Sequence, residues 1–149
     1  MTPLYTVDLA SETSAERVDA LPSLTEPTIR QFLSFGFLAW LGATVAFRLA
    51  GHYLLDPASP LIVGALYVAV VPAMSGLALA LYRWNGVTGA KRLEAAVALV
   101  LPGMFLDTVA IAFFGSVFPN MVPGAAKHFG GMLLLAYATV LVTGFVRRW

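Results

Sequence analysis

The chain has 149 residues, 59% of them hydrophobic and 11% charged, with a formal net charge of +1 and a mean hydropathy of +0.81. An ordinary soluble domain carries about 25% charged residues, so this composition excludes a water-soluble fold and leaves room for about four helical spans of about 20 residues. No basic run exceeds two residues, which gives nucleic acid no footprint, and the absence of cysteine removes disulfides, thiolate metal sites and thiol redox chemistry.

Residues 1–28 place Asp8, Glu12, Glu16, Asp19 and Glu26 against a single Arg17, with no apolar run after a basic start, so no cleavable signal is read here. Ser, Thr, Pro and acid at this density bury too little surface to offset ordering entropy, and the stretch is expected to be a disordered cytoplasmic tail. Residues 29–149 are then the membrane domain. Its first span is expected over 29–51, with Thr28 as N-cap and Pro27 as the barrier behind it. Gly42, Ala46 and Ala50, at steps of four, form one flank that lets a neighbouring backbone come close. Another flank carries Trp40, Thr44, Arg48 and His52, also at steps of four, and is the polar seam of this helix.

Pro57 and Pro60 turn the chain into a second span, 61–82, where Pro72 is expected to kink the helix and Ser75 is the one polar side chain inside. The tightest positive cluster follows, with Arg83, Lys91 and Arg92 around Gly86 and Gly89. The third span, 93–118, opens with Glu94, suited to the helix dipole and to Lys91, and bends at Pro102–Gly103. Phe118-Pro119-Asn120 ends it. A fourth span, 125–146, holds Tyr137, Thr139 and Thr143 and exits at Arg147-Arg148-Trp149. With the N-terminus inside, the inner side holds Arg30, Arg83, Lys91, Arg92, Arg147 and Arg148, and the outer side Arg48 and Lys127; six against two places both termini in the cytoplasm.

The chemistry centres on Asp107, close to the middle of the third span, where translocon scales set the cost of a carboxylate at about 2.5–3.5 kcal/mol. Arg48 is the expected counter-charge. Asp107 lies eleven residues before Phe118, about 16 Å at the helical rise, and the depth gap of about 10 Å is within reach of an Arg side chain with modest tilt. The competing arrangement turns Arg48 out to the headgroups and leaves Asp107 to Thr44, Tyr137 or Thr139. Gly103 and Ala110 share the face of Asp107 and leave space for a long side chain. His52, Asp56 and His128 gather near the outer rim without any ligand spacing known for a metal, and no cofactor or phosphate-loop motif is present, so no metal and no cofactor is expected.

The segments FRLAGHYLL, LPGMFLD and SVFPN, in this order and at these distances, resemble an uncharacterised family of small bacterial four-helix membrane proteins, over about Gln31 to Val146. The resemblance implies a similar four-helix fold, makes Arg48, Asp107 and the Phe118-Pro119-Asn120 corner family features, and implies no activity.

The sequence thus predicts an all-α, up-down-up-down bundle of four membrane helices in the bacterial inner membrane. Thin connectors and small-residue flanks suit a non-enzymatic accessory subunit or homo-oligomer, with the lipid bilayer and a second copy or a larger membrane protein as partners. The rival reading is a small transporter or ion-coupled carrier titrating at Asp107, with Arg48 as counter-charge and Thr44, His52, Tyr137 and Thr139 around the pair.

Overall fold

A computed structural model describes residues 23–146, so most of the expected tail and the Arg147–Trp149 exit lie outside the described residues. All regular structure in that range is helical. Helix α1 spans Glu26–Leu54, α2 Pro60–Trp84, α3 Lys91–Ala112, the single turn α4 Phe114–Val117, and α5 Ala125–Phe145. The four long helices are each long and apolar enough to cross a membrane.

Their outward faces agree with that. Leu61 is 85% exposed, Trp84 80%, Val68 75% and Leu49 72%, while Asp107 is the one buried charged side chain among the described residues. Such a surface in water would be a large adhesive patch; facing lipid it costs nothing.

Helix α1 begins earlier than expected. Thr25 is the N-cap and Pro27 sits inside the first turn, where its missing N–H has no helical partner to lose. Leu24, just ahead of the cap, is buried in the same cluster as Ile29, a hydrophobic staple across the helix start. The Leu24 N–H donates to Glu94 Oε2 at 2.7 Å. Residues 23–28 are therefore attached to the bundle and are not tail, and the carboxylate of Glu94 serves this backbone amide where the sequence suggested Lys91.

Between α2 and α3 the chain turns on Gly86, at φ 64°. Val87 N donates to Tyr82 O at 2.8 Å and Gly86 N to Arg83 O at 3.2 Å, a Schellman closure that only a residue free of Cβ strain adopts readily. Helices α2 and α3 run unbroken through Pro72 and Pro102. The third span breaks instead at Phe113, which separates α3 from α4.

In cross-section, α1 packs on α3, α3 on α5, and α5 on α2, while α1 and α2 barely touch although they are consecutive. Two close approaches bring the helices together. A Cβ on Gly36 would run into the Leu99 carbonyl, and one on Gly144 would lie 2.9 Å from Ala96 Cβ and 3.0 Å from Leu93 Cα. The core is divided in two. One cluster, with Phe32, Tyr82 and Val140, closes the end nearest Arg83 and Lys91, and the other, with Leu55, Phe118 and Phe129, closes the end nearest Asn120. Between them the bundle is hollow.

Candidate functional site

The hollow is a cavity of about 350 Å³, walled by all four long helices. Both ends are plugged by the core clusters, so its mouth lies sideways, along the unfilled seam between α1 and α2. Ala39 and Ala43 on α1 and Ala69 and Ala73 on α2 line it and are exposed. Small side chains there hold the mouth open. A wall of Leu66, Met74, Leu99, Phe129, Met132 and their apolar neighbours leads inward to Trp40, Tyr137 and Asp107.

Asp107 is 4% exposed. Trp40 Nε1, from α1, donates to its Oδ1 at 2.8 Å, and the Tyr137 hydroxyl, from α5, donates to its Oδ2. One carboxylate thus joins three helices through two neutral donors. Gly103, one turn before Asp107, makes the second bond possible: a Cβ there would lie 2.6 Å from Tyr137 Oη. Thr44 lines the same cavity one turn beyond Trp40. Thr139, on α5, donates to its own Leu135 carbonyl at 2.7 Å and does not serve the carboxylate.

Arg48 does not answer Asp107. Its Nη1 donates to the Val117 carbonyl at 2.5 Å, at the end of α4, and the residue is exposed. The reason is depth. Arg48 stands eight residues past Trp40, about 12 Å along the helix, where the end of the α4 turn presents it with the free Val117 carbonyl. Trp40 and Arg48 share the polar seam of α1, and the carboxylate takes Trp40 where Arg48 was expected. The signal for Trp40 was available: an indole N–H at mid-depth needs an acceptor, and a neutral donor sheds far less hydration than a guanidinium.

His52 lies at the rim as well. Its Nδ1 is 3.2 Å from Asn120 Nδ2, which also donates to the Phe47 carbonyl at 3.3 Å, so the Phe118-Pro119-Asn120 corner clamps the C-terminal end of α1. His128 contributes its backbone carbonyl, which accepts the Tyr67 hydroxyl at 2.8 Å. Among the described residues no three His, Asp or Glu side chains come together as a metal site.

A family of unknown function, DUF5367, matches residues 54–149. The chain belongs to this family. The matched stretch holds LPGMFLD and SVFPN, and with them Asp107 and Tyr137. It starts later than the expected resemblance, so FRLAGHYLL, apart from its last two residues, lies ahead of it together with Trp40 and Arg48. Neither the comparison with curated proteins nor that with solved structures gave a match.

Proposed function

We propose that this DUF5367 chain is a non-enzymatic, four-span protein of the bacterial inner membrane, with both termini cytoplasmic, that takes a membrane-dissolved small molecule into the α1–α2 cleft. It acts as a carrier or as the ligand-binding subunit of a larger membrane assembly. One observation carries the reading: the bundle keeps a cavity of about 350 Å³ beside the only buried carboxylate among the described residues, in the lower part of the size range of small-molecule sites. A polar contact serving only to fix helix register needs no such space, and a filled core would be more stable. No nucleophile, base and electrophile converge at the cleft, which favours binding over catalysis. Compared with the carrier expected from the sequence, Trp40 and Tyr137 replace Arg48 as the groups that hold Asp107.

The test uses the chain with Trp84→Phe and Trp149→Phe, leaving Trp40 as the only indole. In bilayers of lipids brominated at mid-chain, Trp40 fluorescence is expected to be strongly quenched, and Ala43→Phe, which fills the mouth, to relieve the quenching. Quenching unchanged by Ala43→Phe, or absent throughout, overturns the cleft reading.

A second reading, lateral self-association, has an observation of its own. Gly42 and Ala46 are exposed on α1, and a Cβ added to Gly42 meets nothing within 4 Å, so this flank packs on none of the described helices. In this cysteine-free protein, Gly42→Cys should give a disulfide-linked dimer in oxidised membranes if that flank is an interface.

A further inference from the structure

We infer that the ligand of the cleft is a lipophilic amine in its protonated, cationic form, held by Asp107. This rests on the cleft reading above and names the chemical class of its occupant.

The donors and acceptors on the cavity wall select the chemistry of the occupant. The polar groups on the cavity wall are Asp107, Trp40, Tyr137 and Thr44. The indole N–H and the phenol O–H are both committed to the carboxylate. Their bonds fall on different oxygens, and a carboxylate has about four acceptor sites, so each oxygen keeps one in reserve. The site therefore offers acceptors and has its strongest donors spoken for. A ligand presenting only carbonyl, ester or phosphate oxygens meets no matching donor on Asp107, Trp40 or Tyr137. A ligand presenting N–H donors does.

Charge points the same way. Among the described residues no Lys, Arg or His lines the cavity, and the nearest cation along the seam of α1, Arg48, is engaged by the Val117 carbonyl. The carboxylate in an apolar cleft thus has no counter-ion among the described residues, and an ammonium brings one. Trp40, Tyr137, Phe47 and Phe129 add aromatic rings to the same wall, and such rings attract a desolvated cation. The remaining walls are aliphatic and suit an apolar body. Because Asp107 is only 4% exposed, the head must be slim, a primary or secondary ammonium able to reach a narrow aperture.

The test compares three probes of one shape, 1-aminoadamantane, 1-adamantanol and adamantane-1-carboxylate, by the emission of Trp40 in the single-tryptophan chain reconstituted in bilayers. The amine is expected to give a saturable change that the alcohol and the acid do not. Asp107→Asn keeps an acceptor for Trp40 and an N–H for the Tyr137 oxygen, and should weaken the amine by about 10- to 100-fold, the range of one charge-assisted bond. Ala73→Phe leaves Asp107 in place and should abolish the response by closing the mouth, which keeps the test sharp if Asp107→Asn fails to insert. An equal response to the alcohol or the acid, or an amine response indifferent to both substitutions, overturns the inference. Silence toward the amine while brominated lipids still quench Trp40 removes the amine and leaves the cleft. Loss of the quenching removes both.

Discussion

Replacing Trp40 by Phe deletes one N–H and leaves Asp107 Oδ1 without the donor now 2.8 Å away. A hydrogen bond to a charged group in a protein contributes about 1.5–3 kcal/mol. Contacts between membrane helices are worth less, about 0.6 kcal/mol on average and up to about 1.7, because the separated helices find other partners. The carboxylate here is nearly sealed, which places the expected loss near the upper membrane value, about 1–2 kcal/mol. Equilibrium unfolding by sodium dodecyl sulfate in mixed micelles, followed by far-ultraviolet circular dichroism, measures it. The decisive form is a pair of double-mutant cycles against Asp107→Asn. Trp40→Phe should couple by about 0.5–1.5 kcal/mol, whereas Arg48→Gln, whose side chain is held at Val117, should be additive within about 0.5 kcal/mol. Coupling at Arg48 with additivity at Trp40 would refute the assignment of donors and restore the ion pair.

Gly103→Ala puts a Cβ 2.6 Å from Tyr137 Oη and should cost about 1–3 kcal/mol in the same assay. Adding Tyr137→Phe removes the clashing oxygen and should return part of that loss; no recovery would mean that Gly103 matters for another reason. Glu94→Ala frees the Leu24 amide and should speed hydrogen exchange across the first turn of α1, with a stability loss of about 0.5–1.5 kcal/mol, while an unchanged exchange rate would detach Leu24 from the fold. Reporters inserted at Ala58–Pro60 should score external and those at Gly86–Gly89 cytoplasmic; the reverse result would invert the proposed orientation.

The four long helices were readable because each apolar run exceeds the bilayer span and the breaks are written in Pro and Gly. Their ends were less so. Thr28 and Pro27 looked like a cap and its barrier, yet Leu24 draws the helix back to Glu26 by burying itself on α3, a long-range gain that local capping rules do not see. The break at Phe113 has no Pro or Gly at the site to announce it. For the candidate site, the importance of Asp107 was legible from its cost alone, and Tyr137 stood among its possible partners. The donor on α1 was not, because pairing by charge ranks Arg48 first, whereas the folded chain selects by depth. The hollow itself lay beyond any reading of periodicity, since it depends on α1 and α2 declining to pack, and the alanines at its mouth read equally well as a packing seam.

The polar contacts also sort the four long helices into two tied pairs. Asn120 and Arg48 fasten the C-terminal end of α1 to the chain that follows α3, and Leu24–Glu94 fastens the other end of α1 to α3, so these two helices are tied at both ends. Tyr67 on the His128 carbonyl and Tyr82 on Thr143, at 3.2 Å, fasten α2 to α5 in the same way. The two tied pairs meet along the line where α3 packs on α5. The bond between Asp107 and Tyr137 crosses that line. Among the described residues it is the one side-chain hydrogen bond between the helices of the α1–α3 pair and those of the α2–α5 pair, so the carboxylate that faces the cleft is also the polar link between them.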